Sequence, residues 1–191
     1  MKIAIIGKGN VGSALQAGLS RNDHEVRAVG RGEDLRAAGE FADLVIIAVP
    51  FSEVGNAASE LADVVAGKVV IDATNALTAE MTLAVDSSST SGAEELQKKL
   101  PSAKVAKAFN TAFASAMATG QIKGEQLAGL VAADDADAKA QALKLVEELG
   151  FEPIDAGPLS AARLLEPFAL LNIKLGFIQG YGPNSGFRLV H

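Results

Sequence analysis

The sequence predicts a doubly wound, mostly parallel α/β sheet, and two observations carry that prediction. Short apolar runs alternate with helical patterns along most of the 191 residues, as in a parallel sheet with helices on both faces. The first apolar run, residues 3–6, leads into Gly-x-Gly-x-x-Gly and then into a helical pattern. Strand, glycine turn and helix in this order are the setting in which the motif indicates a Rossmann-type dinucleotide fold.

The glycine motif covers residues 7–12, and its three glycines have different roles in such a turn. Gly7 permits the tight turn, Gly9 lets the backbone approach a pyrophosphate, and Gly12 lets helix and strand pack closely. Free N–H groups at the helix start favour a phosphate charge. The alternative is a glycine turn without a ligand, but the flanking strand and helix favour binding. The expected nucleotide contacts here are Gly7, Lys8, Gly9, Asn10, Val11 and Gly12.

The end of the second predicted strand, residues 25–29, indicates the type of nucleotide. An NAD enzyme usually places Asp or Glu there to bind the ribose 2′-hydroxyl, whereas an NADP enzyme tends to place Arg near the 2′-phosphate. Gly30 and Arg31 follow this strand, with Arg36 shortly after. The acidic residues 33–34 come slightly late and fit the start of the next helix. The pattern favours NADP, and the alternative is that Arg31 is a solvated turn residue.

Five further strands are predicted, within residues 43–50, 68–72, 104–109, 127–132 and 151–155. The last of them contains a proline, which restricts it to an edge of the sheet. Polar residues just past strand ends lie at the edge where open α/β sheets bind ligands. Asn75, Asn110 and Thr111 have such positions and are therefore candidate site residues.

The chain is predicted to divide into a nucleotide-binding domain, residues 1–157, and a C-terminal helical segment with a tail, residues 158–191. Because proline disrupts a helix interior, one helix is expected to break or kink at Pro167 and a second to start there. One face of the segment is broadly apolar, and the residues that define it are Leu164, Phe168, Leu171 and Leu175. That breadth predicts burial against the sheet, a dimer partner or a flat ligand, with core packing favoured.

Composition excludes several classes of function. The net charge of −6 argues against nucleic acid or an anionic membrane as the main partner. The absence of cysteine excludes disulfides, thiolate catalysis and cysteine-bound metals. His24 is in a polar turn and is expected to be solvated, and His191 is the last residue, so no metal site is predicted. Neither a secretory signal nor a membrane span is visible, and a cytoplasmic protein is expected.

Five motifs occur in an order that resembles a known family. They lie at residues 7–12, 48–50, 72–75, 107–111 and 155–159. Together they resemble the NADPH-dependent coenzyme F420 reductases, and residues 107–111 in particular are similar to the oxidoreductase domain of the STEAP metalloreductases. The resemblance covers nearly the whole chain, and its later motifs are more specific than the glycine motif.

The resemblance implies that the glycine loop holds the NADP pyrophosphate and that Arg31 holds the 2′-phosphate. The residues implied to line the ribose and nicotinamide are Ala48, Val49, Pro50 and Asn75. A flavin or deazaflavin acceptor would lie over the nicotinamide, near the C-terminal helices. The residues expected near that acceptor are Asn110 and Thr111, with Leu171 of the apolar face as a candidate wall.

Two residues depart from the family's pattern. The family often has a hydroxyl residue before the arginine, and this chain has Gly30, so one hydrogen bond to the phosphate is lost. Lys8 replaces the usual small or hydroxyl residue in the glycine loop. It either reaches a phosphate or points to water.

Three functions fit these observations. The first is a reductase that passes hydride from NADPH to a ring cofactor such as F420, FMN or FAD. The second is a dehydrogenase of a small carbonyl or imine. The third is a regulatory module that binds NADP without turnover. A dehydrogenase needs a proton donor, and the only candidates are Lys107, Tyr181 and His24. Hydride transfer between two rings mainly requires their alignment. The reductase is therefore favoured. It is expected to be a homodimer and to use no catalytic acid or base. The sequence does not identify its hydride acceptor.

Overall fold

The computed structural model describes residues 1–191 and confirms the doubly wound, mostly parallel sheet. Nine strands follow along the chain: β1 (Lys2–Ile6), β2 (Glu25–Val29), β3 (Leu44–Ile47), β4 (Val69–Asp72), β5 (Lys104–Lys107), β6 (Gln121–Ile122), β7 (Glu125–Gln126), β8 (Ala128–Ala133) and β9 (Glu152–Gly157). Seven of them form one sheet in the order β2-β1-β3-β4-β5-β8-β9, while β6 and β7 form a separate hairpin. Strands β1 to β5 are parallel, and β8 runs antiparallel to β5.

Helices cover both faces of the sheet. They are α1 (Asn10–Leu19), α2 (Leu35–Phe41), α3 (Phe51–Leu61), α4 (Gly92–Lys99), α5 (Ala114–Met117), α6 (Ala136–Glu148) and α7 (Ala162–Phe177), the last preceded by a 3₁₀ turn at Leu159–Ala161. Helices α1, α5 and α6 enclose one core with Ile3 and Ile5, and the other helices enclose a second core with Ala4 and Ile6. Successive residues of β1 thus point to opposite faces, as expected for a central strand.

The helix around Pro167 differs from the prediction. Instead of a break, α7 is one continuous helix, and Pro167 lies inside it, in its second turn. A proline there removes one backbone hydrogen bond, but polar contacts with the rest of the molecule hold the helix. The side chain of Asn172 donates to the carbonyl of Thr111 at 3.1 Å, and Arg163 donates two hydrogen bonds to Glu94 of α4. The prediction that the helix breaks and a second one starts at Pro167 was therefore wrong, because it considered only the local chain.

The apolar face of α7 also differs from the prediction of core packing. Small and polar residues face the sheet, and they include Ala169, Asn172 and the carboxylate of Glu166. Leu164 and Leu171 are 74% and 50% exposed. The polar contacts of the helix determine which side faces the sheet, so Leu164 and Leu171 point outward, while Leu165 is buried.

A fully buried ion cluster connects α7 to the sheet. The Lys107 ammonium lies 2.9 Å from Oδ2 of Asp72 and 3.0 Å from Oε1 of Glu166. It also donates to the carbonyl of Thr74 at 2.7 Å. Burial lowers the pKa of Lys107, but the two carboxylates outweigh burial, so the pKa is raised above its usual value and the ammonium stays charged.

Glu166 extends this cluster to a third element. Its two carboxylate oxygens accept hydrogen bonds from the backbone N–H groups of Gly92 and Ala93, at 2.9 and 3.2 Å. These groups belong to the first turn of α4, where unpaired N–H groups favour a negative charge. One ion cluster therefore joins the ends of β4 and β5 to the starts of α4 and α7.

Lys107→Met is expected to lower the free energy of unfolding by about 3–5 kcal/mol, because it leaves two buried carboxylates without their cation. Urea denaturation followed by circular dichroism measures this loss. Lys104→Met is a matched control in the same strand, since Lys104 is paired with Asp135 and Asp137 in contact with water. Lys104→Met is expected to lower the free energy of unfolding far less than Lys107→Met does. Equal losses in the two variants would contradict the central role of the buried cluster.

Candidate functional site

The glycine loop has the geometry that the sequence predicts. Gly7 has a φ of +124°, and a Cβ atom there would lie 2.2 Å from the carbonyl oxygen of Ala48. At Gly12 a Cβ would lie 1.9 Å from the carbonyl oxygen of Gly7, so the helix packs against the turn without room for a side chain. Gly9 precedes α1, and a Cβ there would meet open space. The backbone at Gly9 is therefore accessible to a ligand, while the other two glycines shape the turn.

A cleft of about 660 Å³ opens beside this loop, within the range of small-molecule sites. Its walls come from the glycine loop, the end of β2 and the junction between β3 and α3. The predicted cofactor residues that line it are Gly7, Lys8, Gly9, Gly30, Arg31, Ala48, Val49 and Pro50. The cleft thus brings together three segments that the sequence analysis assigned separately to nucleotide binding.

The other predicted cofactor residues lie outside the cleft walls. Gly12, Asn10 and Val11 form the first turn of α1, next to the loop. Arg36 is on α2, where it contacts Glu40 at 3.2 Å and Asp63 at 3.3 Å. Its guanidinium is therefore engaged with acidic residues away from the cleft.

Arg31 is at the mouth of the cleft. Its side chain is 89% exposed, and its nearest acidic partner is Glu53 of α3, with 3.5 Å between their atoms. A single exposed ion pair of this length restrains an arginine weakly. The guanidinium is thus accessible for an anion that enters the cleft.

Glu33 is a cleft residue that the sequence analysis assigned to the start of the next helix. Asp34 is the residue that caps α2, by accepting from the N–H of Ala37. The Glu33 carboxylate instead turns back, accepts from the N–H of Gly30 at 2.7 Å and contacts the Lys8 ammonium. The hydrogen bond from Lys8, and then the one from Gly30, hold the pKa of Glu33 below its usual value. No local pattern reveals this contact because the two charged residues are 25 positions apart.

Asn75 and Asn110, the polar residues after β4 and β5, are hydrogen-bonded to each other. The Asn110 amide donates to Oδ1 of Asn75 and to the carbonyl of Leu165 in α7, both at 3.1 Å. Asn75 in turn donates to the Asn110 carbonyl at 3.3 Å. The preceding residue, Phe109, is buried with a φ of +67°, which is unusual for a bulky side chain. This backbone conformation precedes the asparagine that connects the strand end to α7.

The other two candidate acceptor residues are Thr111 and Leu171. Thr111 borders a small cavity of about 170 Å³, and Phe187 of the C-terminal tail also lines it. Phe187 also packs on Phe168 of α7, with 4.7 Å between ring centroids. Leu171 lines neither this cavity nor the nucleotide cleft.

None of the three possible proton donors lines the nucleotide cleft. Lys107 is fully buried in its ion cluster, and Tyr181 lies beyond the end of α7. His24 precedes β2 and therefore lies at the amino ends of the strands, whereas the glycine loop follows β1 at the carboxyl ends. The expectation that His24 is solvated was wrong, because its ring is nearly buried and its Nε2 lies 2.6 Å from Oε2 of Glu148.

Comparisons with known proteins agree with this geometry. The family described as NADP oxidoreductase, coenzyme F420-dependent, matches residues 2–41 and 32–76. The F420-dependent NADP reductase of Methanothermobacter marburgensis is 31% identical over 180 residues, which cover 90% of this chain and 77% of that protein. The chain belongs to the F420-dependent NADP oxidoreductase family. It is accordingly an NADP-dependent oxidoreductase, as the resemblance predicted.

Two further matches extend over most of the chain. A candidate F420-dependent NADP reductase from Arthrobacter sp. FB24 has a structure with a TM-score of 0.92 and 28% identity, and all of both chains is covered. The metalloreductase STEAP3 of Rattus norvegicus is 30% identical over 183 residues, or 88% of this chain. Only 36% of STEAP3 is covered, so the family member described here spans about a third of that protein's length. In the chain described here, no helix has the length and hydropathy of a membrane-spanning segment.

Gly12→Val is expected to abolish nucleotide binding and to reduce stability, because its side chain would push α1 away from the Gly7 turn. Isothermal titration with NADPH and a thermal melt measure the two effects. Gly55→Val in α3 is the control, since a Cβ at Gly55 meets no atom within 4 Å. An NADPH affinity of Gly12→Val close to that of the parent protein would show that this turn does not hold the dinucleotide.

Proposed function

We propose that the protein transfers a hydride between NADPH and a planar ring acceptor, with coenzyme F420 as the first candidate. The observation that carries the proposal is the nucleotide cleft, which has the glycine loop on one side and the exposed Arg31 at its mouth, while none of the three predicted proton donors lines it. Transfer between two rings needs alignment and close approach more than acid–base groups. The names of the Methanothermobacter and Arthrobacter relatives favour F420 over FMN or FAD.

NADPH supplies the hydride when it is bound, and the residues of the chain position it. The open backbone at Gly9 and the start of α1 would hold the pyrophosphate. Arg31 would contact the 2′-phosphate, and Asn75 would lie near the nicotinamide. The residues that would line the ribose are Ala48, Val49 and Pro50.

The acceptor would bind where the C-terminal segment meets the strand ends. Residues 1–157 would hold the nucleotide, and residues 158–191 would cover the acceptor. Asn75 and Asn110 support this arrangement because their amides join the ends of β4 and β5 to the backbone of α7.

Anaerobic stopped-flow oxidation of NADPH in the presence of F420, FMN, FAD or a quinone tests this function. Rapid reduction of F420 is the expected result. Reduction of small imines or carbonyls alone would identify a dehydrogenase. Tight NADPH binding without oxidation by any acceptor would instead identify a regulatory module.

Arg31→Ala is expected to weaken NADPH binding about 10- to 100-fold and to leave NADH binding nearly unchanged, because only NADPH loses a charge-assisted contact. Isothermal titration with both nucleotides measures the change. Arg36→Ala is the matched control, since Arg36 faces Glu40 and Asp63 outside the cleft. Equal losses of NADPH and NADH affinity in Arg31→Ala would exclude a 2′-phosphate contact.

We also infer that a second copy of the chain covers the outer face of α7. Leu164, Leu171 and Ile178 recur every seven residues and are 74%, 50% and 67% exposed. Apolar residues at this spacing are typical of a seam between two helices. A homodimer in which α7 packs against its partner would bury this face, whereas an acceptor in contact with Leu171 is the rival explanation.

Leu171→Asp is expected to produce folded monomers with nearly unchanged turnover per subunit, because a charge in the seam prevents helix pairing. Analytical ultracentrifugation and steady-state kinetics measure the two properties. Lys144→Glu is the control, because it adds negative charge to an exposed position of a different helix, α6, and this variant should stay dimeric. A Leu171→Asp protein that keeps its oligomeric state but loses acceptor reduction would favour the acceptor wall instead.

A further inference from the structure

Two hydrogen-bond donors converge on one carboxylate at the end of β2. The backbone N–H of Gly30 donates to Oε2 of Glu33 at 2.7 Å, and the Lys8 ammonium donates to Oε1 at 2.7 Å. A backbone N–H beside an ammonium is a common way to bind an anion. The chain thus fills this anion-binding position with its own carboxylate.

The three residues fit together sterically. A Cβ atom at Gly30 would lie 3.3 Å from Oε2 of Glu33 and 3.3 Å from Cδ of Lys8. A hydroxyl residue at position 30 would therefore require both neighbours to shift. The two departures from the family's pattern, Lys8 in the glycine loop and glycine before Arg31, belong to one arrangement with Glu33 as its third member.

This arrangement lies where a nucleotide would meet it. All three residues line the nucleotide cleft beside Arg31, at the strand end where dinucleotide folds bind the adenosine ribose. The side chains of Lys8 and Glu33 are 48% and 45% exposed, so their ion pair is in contact with water. Such a pair is held weakly and can exchange partners with a ligand.

We propose that Glu33 determines nucleotide preference by competing with the 2′-phosphate of NADPH for Lys8 and the Gly30 N–H. The inference rests on the proposed nucleotide site. When NADPH binds, the phosphate displaces the carboxylate from Lys8, and Lys8 then pairs with the phosphate. When NADH binds, the carboxylate stays in place and accepts from the ribose 2′-hydroxyl, as acidic residues at this strand end do. Glu33 therefore limits the preference for NADPH that Arg31 and Lys8 create.

Glu33→Gln tests the proposal, because it keeps the size of the side chain and an oxygen for the Gly30 N–H but removes the charge. Isothermal titration with NADPH and NADH gives the ratio of their dissociation constants. NADPH is expected to bind about 5- to 20-fold more tightly, with NADH unchanged or weaker, as expected when a like charge is removed. Titration with adenosine 2′,5′-bisphosphate and 5′-AMP should show the same change, since the effect lies at the adenosine end.

Glu40→Gln is the matched control, because Glu40 is also an exposed acidic residue paired with a cation but lies outside the cleft. It should leave the ratio within about 2-fold of the parent value. A preference for NADPH over NADH that falls or stays the same in Glu33→Gln, while both nucleotides still bind, overturns the inference. Failure of the parent protein to bind either nucleotide would instead overturn the proposed function, so the two failures can be told apart.

Discussion

The buried ion cluster around Lys107 is the interaction on which the arrangement of the C-terminal half depends. Removing an ammonium and two carboxylates from water is costly, and the cost is offset only when every charge has close partners. Here Asp72, Glu166 and the first turn of α4 supply them. Since the partners come from four elements, the cluster forms only when these elements are correctly docked. It therefore specifies the position of α7 more strictly than apolar packing would.

The position of α7 determines the geometry of the strand ends. With Glu166 anchored, the neighbouring carbonyl of Leu165 accepts from Asn110, and Asn172 donates to the carbonyl of Thr111. The chain after β5 is thus attached to the helix at two successive residues, directly after the positive φ of Phe109. The polar residues at this edge are held by the same contacts that hold the helix. A change deep in the cluster should consequently alter the strand-end loops as well as stability.

Local patterns were sufficient for the sheet and the glycine loop but not for α7 or Glu33. Buried strands form continuous apolar runs, and a glycine turn between strand and helix has few alternatives, so β1, α1 and the bounds of β2 followed from the sequence. The orientation of α7 did not follow from the sequence. A hydrophobic pattern predicts burial of leucines, and it cannot reveal that Glu166 has a buried cation as its partner. The role of Glu33 likewise depends on Lys8, a residue of a different loop.

The two lysine–carboxylate contacts differ in their surroundings, and the difference suits each to its task. Around Lys107 there is no water to replace a lost partner, so the pair is permanent and serves the fold. Around Lys8 water shares the solvation of both charges, so exchanging the Glu33 carboxylate for a phosphate requires little energy. A nucleotide site needs the second kind of contact, because its ligand must enter and leave. The exposure of an ion pair, and not its length, therefore separates a contact that holds the fold from one that selects a ligand.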